Sequence, residues 1–206
     1  MKPSLNLRAA VRHLKAADPV LAEIIKRIGP CRWELRPTAS LFESLLQSII
    51  YQQLHAKAAS NIHNRVLALM PDGMADPTAL LALSDEALRA AGLSRAKLAA
   101  IRDLAAKVTE GVVPSVEEAH ALTDDELIER LTAVRGIGPW TVHMLLIFRL
   151  GRPDVLPTGD FAVRKAFQVE WRKRKAPKPE TLEKHARAWR PWRSVASWYL
   201  WRSLDA

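Results

Sequence analysis

The stretch LTAVRGIGPWTVHMLLIFRLGRPDVLPTGDF, residues 131–161, decides how this chain is read. It holds a glycine hairpin at Gly136-Ile137-Gly138, an apolar run, a Gly/Pro-rich loop and a lone carboxylate, Asp160. Gly136 and Gly138 lack a Cβ, which permits a tight turn and a close approach of the backbone to a ligand. Pro139 suits the first turn of a helix, where its missing N–H would be unpaired anyway. Amides at such a helix start point outward and attract anions, phosphate above all. Ahead of the hairpin, Thr123-Asp124-Asp125-Glu126 reads as a capping box opening a helix that ends near Val134. Helix, glycine hairpin, helix is a device for gripping a nucleic-acid backbone without reading its sequence.

Working outward, nearly every segment reads helical, and no alternating strand pattern is found. Leu5 to Ala16 is a candidate helix, and Asp18-Pro19 opens another that stops at Gly29-Pro30. Leu41 to Leu54 is apolar at helical spacing and expected to be largely buried, and Ala56 to Met70 continues as a helix. Pro71 to Pro77 reads as a turn-rich loop. Capped helices follow at Ser84–Ala91 and Ser94–Thr109, closed by Gly92 and Gly111. Beyond the hairpin come Trp140–Leu150, a helix starting at Asp160, a basic loop at Trp171–Lys178 and one or two closing helices in Thr181–Trp201.

Composition narrows the function. The 206 residues carry a formal charge of +9, with 49% hydrophobic and 26% charged residues, a balance that favours a polyanionic partner. No run approaches the ~18 apolar residues of a membrane span, and the N-terminus lacks the apolar core of a signal peptide. A cytoplasmic location, with no membrane partner, is expected. Cys31 is the single cysteine, which excludes an intramolecular disulfide and a cysteine-ligated iron–sulfur cluster.

Hairpin, Gly/Pro loop and Asp160, in this order and at this spacing, resemble the helix–hairpin–helix (HhH-GPD) DNA glycosylases. Within them, GPWT and the later WRPWRSVASWYLW (Trp189 to Trp201) resemble most the bacterial 3-methyladenine DNA glycosylases of alkylation repair. The resemblance covers Leu41 to Trp201. It implies an all-α fold of two helical lobes with a cleft between them. The middle lobe would take residues 39–111, and residues 1–38 with 112–206 the lobe carrying the hairpin and the catalytic loop. Some relatives carry an extra N-terminal β-domain. About forty residues precede the match here and read helical, so that domain is expected to be absent.

The carboxylate has two readings. Aspartate commonly caps helices, whereas the family's catalytic aspartate follows the Gly/Pro loop, where Asp160 stands. Capping and catalysis are compatible. Asp154 is a competitor that in the family pattern belongs to the loop and braces it. One carboxylate suits removal of an alkylated purine. Methylation at N3 of adenine or N7 of guanine makes the base cationic, so it leaves neutral with little need of a general acid. The charge growing on deoxyribose does need an anion, an effect of ~3–4 kcal/mol for one well-placed group.

The resemblance implies further roles. Bifunctional relatives place a lysine where Trp140 stands. A tryptophan forms no Schiff base, so a monofunctional enzyme without lyase activity is expected. Trp140 and Trp201 match stacking positions of the base pocket, and Met144 stands where some relatives have tyrosine. Arg135, Gly136, Ile137, Gly138 and Thr141 would form the backbone-gripping hairpin. Gln53 or Leu54, with His55 as a further candidate, would wedge into the stack vacated by the flipped base; a buried helix end is the structural alternative for Leu54. Carbonyls of Thr132, Val134 and Ile137 resemble a monovalent-cation site for Na⁺ or K⁺, and no other cofactor is expected. Trp189, Trp192 and Trp198 read as core packing, Trp171 as exposed in its basic loop. The implied partner is double-stranded DNA with alkylated bases, and the chain is expected to act as a monomer. Two other readings stay open: a glycosylase for deaminated or etheno purines, and a helix–hairpin–helix module that binds without catalysis.

Overall fold

The computed structural model describes residues 6–205, and every regular element among them is helical. The chain divides into two compact units. One is Thr38–Val142; the other is formed by the chain before and after it.

The middle unit is built on two long helices, α3 (Leu41–Tyr51) and α7 (Arg95–Thr109). Leu45, Leu46, Ile49 and Ile50 recur on one face of α3 and are fully buried, with Ile101, Leu104 and Ala105 of α7 equally so. The two helices pack together, with α4 (Ala56–Leu67) against α3, and with α5 (Pro77–Ala82) and α6 (Asp85–Ala90) against α7. Burial of such side chains stabilises by ~1.5–3 kcal/mol each. The helix ends are closed chemically. Ser40 caps α3 and Ser94 caps α7, each through its hydroxyl. The Arg102 guanidinium donates to the carbonyls of Leu80 and Leu81, at 2.8 and 2.9 Å, where α5 stops. Thr123 opens α9 (Asp124–Thr132) with a complete capping box: Thr123 Oγ1 accepts from Glu126 N–H, and Glu126 Oε2 accepts from Thr123 N–H at 2.7 Å.

The other unit packs α1 (Leu7–Ala17), α2 (Pro19–Ile28), α11 (Phe161–Glu170), α12 (Pro179–His185) and α13 (Arg193–Ser203) around Leu14, Leu21, Ile24, Val163, Phe167, Trp189, Tyr199 and Leu200. Asp18, 4% exposed, is its polar keystone. Oδ1 accepts the Val20 and Leu21 amides at 2.9 and 3.3 Å and so caps α2. Oδ2 accepts the Trp189 indole N–H at 3.0 Å and bonds His185 Nε2 at 2.8 Å. Burial pushes the Asp18 carboxyl up, but these four hydrogen bonds outweigh it and hold it below the usual aspartate value.

Several sequence expectations are corrected. The unit boundary falls after Val142 rather than after residue 111. The reason is local: the Arg135 amide donates to Asp103 Oδ2 at 2.7 Å, tying the hairpin to α7. Helix α3 stops at Tyr51, not Leu54, and α4 at Leu67, not Met70. Likewise α9 ends at Thr132 and α10 spans Pro139–Phe148. Two short helices were not anticipated, α5 and α8 (Val116–Ala121), although each carries its start signal: Asp76-Pro77 for α5 and the Ser115/Glu118 capping box for α8. Leu5, the first residue of the expected N-terminal helix, lies outside the described residues. Trp189 is fully buried, and Trp192 and Trp198 pack partly buried against the same core. Trp171 does the same rather than standing exposed, stacked on Phe167 at 4.4 Å between centroids.

Candidate active site

Asp160 stands where the Gly/Pro loop turns into α11. The loop closes through Thr158 N–H to Leu156 O and Asp160 N–H to Pro157 O, both 2.9 Å. Asp160 then caps α11: its Oδ1 accepts the Val163 amide at 2.8 Å. The same oxygen accepts the indole N–H of Trp201 at 3.0 Å. The carboxylate is therefore oriented by a helix start and by a tryptophan from α13, and it is only 8% exposed. Trp201 itself lies half-buried with its ring 5.7 Å from that of Phe148. Sequence reasoning placed Trp201 in a stacking role and missed its bond to Asp160; a 41-residue separation gives no local signal for it.

Asp154 is engaged differently. Arg193 Nε donates to its Oδ1 at 2.8 Å and Arg193 Nη2 to its Oδ2 at 3.1 Å, with Arg190 also within 3.4 Å. Ser194 completes the brace: Oγ donates to Arg152 O at 2.7 Å and accepts Val155 N–H at 2.9 Å. Asp154 and the start of α13 thus hold the loop in shape.

The hairpin is tight. Ile137 N–H closes it on Val134 O at 3.0 Å, and Gly138 O receives the Thr141 and Val142 amides as α10 begins. Gly136 has φ 81°, the left-handed region that favours glycine, and a Cβ there would touch Ala100 at 3.4 Å. Gly138 differs. It does not adopt positive φ, and a Cβ on it would meet nothing within 4 Å. Of the two hairpin glycines, only Gly136 holds a backbone conformation that favours glycine. Arg135 and Gly136 are exposed, whereas Ile137 and Thr141 are buried and anchor the motif. Trp140, in the first turn of α10, is 51% exposed, and Met144 is half-buried.

The wedge candidates form an exposed turn after α3. Gln53 has φ 56°, and Leu54 is 39% exposed rather than a buried helix end. His55 is exposed as well and precedes α4. Among the described residues no cluster of three or more His, Cys, Asp or Glu could hold a metal ion, and no helix is long and apolar enough to cross a membrane.

Residues 46–191 match the model of the HhH-GPD superfamily of base excision DNA repair proteins. The chain belongs to that family. It is 36% identical to DNA-3-methyladenine glycosylase 1 of Schizosaccharomyces pombe, over 96% of this chain and 88% of the relative. Among solved structures it resembles the S. pombe 3-methyladenine DNA glycosylase in complex with abasic DNA, with a TM-score of 0.79, 35% identity and coverage of 96% and 97% of the two chains. A DNA-3-methyladenine glycosidase from Bacillus halodurans gives a TM-score of 0.85 at 36% identity, covering 94% of this chain and 88% of the other.

Proposed function

We propose that the protein is a monofunctional DNA glycosylase that excises 3-methyladenine and 7-methylguanine from duplex DNA. The observation that carries this reading is Asp160, buried yet fixed by two donors on Oδ1. The names of its relatives support the same substrate class.

In the proposed reaction the bond between C1′ and the base nitrogen breaks, and its electron pair leaves with the cationic base, which departs neutral. Positive charge grows on the deoxyribose, and the Asp160 carboxylate stabilises it without reorganising, because Val163 and Trp201 already hold it. Water adds its oxygen to C1′ and releases a proton to solvent, leaving an abasic site. A cationic base stacked on the half-exposed Trp140 would gain ~0.5–2 kcal/mol. The carbonyls of Thr132, Val134 and Ile137 on the hairpin turn are neutral oxygen donors that would hold a monovalent cation, Na⁺ or K⁺. It would add positive charge beside a phosphate.

Gly136→Ala should destabilise the fold by about 1 kcal/mol or more, because it forces a left-handed backbone on alanine. Gly138→Ala should leave the melting temperature unchanged, because a Cβ there meets nothing within 4 Å, and should weaken binding to every duplex sequence alike, because it would fill space otherwise open to an approaching phosphate. Unchanged affinity in Gly138→Ala would remove the case for close approach there. Borohydride added during turnover should trap no protein–DNA adduct and leave the strand intact, since Trp140 has no amine to form a Schiff base. A strong trapped adduct would mean that a lysine reaches the sugar.

A further inference from the structure

The wedge turn and the hairpin, distant in sequence, are built onto one helix. Lys97 of α7 donates its ammonium to Ile50 O at 2.6 Å and Gln52 O at 2.9 Å, closing the end of α3. One and two turns further along α7, Ala100 lies beneath Gly136 and Asp103 accepts the Arg135 amide. A direct link then joins the two loops: Gln52 Nε2 donates to Gly136 O at 2.8 Å. The next residue, Gln53, has φ 56°, a conformation that side chains other than glycine seldom adopt. Leu54 N–H returns to Tyr51 O at 3.4 Å. A strained, exposed tip is thus bracketed by fixed carbonyls and by a bond to the hairpin.

We propose that Gln52 is a positioning residue that locks the wedge turn, with Gln53 at its tip, to the hairpin, so that gripping phosphate and filling the emptied base stack become one rigid motion. The inference rests on the glycosylase reading above. Stability alone does not account for the bond. Gln52 and Gly136 are both exposed, so water can replace either partner at little cost, and Lys97 already satisfies the α3 carbonyls. What the bond fixes is the position of one loop relative to the other.

The test uses the full chain and a duplex carrying 2-aminopurine beside 7-methylguanine, whose fluorescence reports unstacking before any chemistry. Gln52→Met keeps the length of the side chain and removes the donor. Its melting temperature should match that of wild type, and its affinity for undamaged duplex should stay within about twofold of wild type. At saturating protein the fluorescence phase and single-turnover release should both slow by about tenfold, the scale of a lost pairwise coupling. Gln52→Lys, which returns a donor of similar reach, should recover the fluorescence phase. A wild-type insertion rate in Gln52→Met would overturn the proposal, as would a loss of duplex affinity matching the loss of rate, which would mark general damage to the hairpin. Failure of the wild-type protein to release methylated purine would tell against the proposed function alone, because the fluorescence phase needs no chemistry.

Discussion

Asp160→Asn is expected to slow release of methylated purine by at least ~10²-fold under single-turnover conditions, the scale of one catalytic electrostatic group. The substitution isolates charge. Asparagine is as good a helix cap as aspartate, and its carbonyl oxygen can still accept the Val163 amide and the Trp201 indole. Melting temperature and affinity for duplex DNA should therefore hold. Asp154→Asn provides the contrast. Its carboxylate is bound by Arg193 and Arg190, so its loss should loosen the loop rather than remove the charge proposed to act on the sugar. Near wild-type release by Asp160→Asn, with Asp154→Asn inactive, would reverse the assignment.

The largest effect on stability is expected at Asp18. Asp18→Ala removes the cap of α2, about 1 kcal/mol, and orphans the buried Trp189 indole N–H, a further ~1–3 kcal/mol. A loss of roughly 2–4 kcal/mol should lower the melting temperature by about 5–15 °C in a chain of this size. The effect should depend on pH with a definite sign. The folded-state pKa lies below the ordinary value because four hydrogen bonds favour the ionised form over the opposing effect of burial. Its contribution is therefore present above the unfolded pKa of about 3.9 and fades as pH falls through the lower folded value. Melting temperatures of wild type and Asp18→Asn, measured from neutral to acid pH, should converge on acidification. A gap that widened with acid would contradict this role.

What was legible in the sequence was what local chemistry encodes. The Thr123 capping box, Asp18-Pro19 and Asp160 after Gly159 all announce helix starts, and helices begin at each. Helix ends were harder. Leu54 keeps the apolar helical spacing, yet α3 stops at Tyr51, where Lys97, 45 and 47 residues away, takes the carbonyls of Gln52 and Ile50. Gly136 and Gly138 look alike as letters, yet only Gly136 occupies the left-handed region, which depends on the turn actually formed. The partners of Asp160 and Asp18 divide in the same way: their caps are local, and their tryptophan donors come from residues 41 and 171 positions distant. The site's residue types were readable, and the bonds that orient them were not.

The identity of the bases released from methylated duplex DNA decides between the proposed activity and its alternatives. Wild-type protein should liberate free 3-methyladenine and 7-methylguanine, resolved by chromatography and mass, with one abasic site for each base and the strand uncut. Tight binding to the same duplex with no free base, or release of deaminated or etheno purines in place of methylated ones, would contradict it.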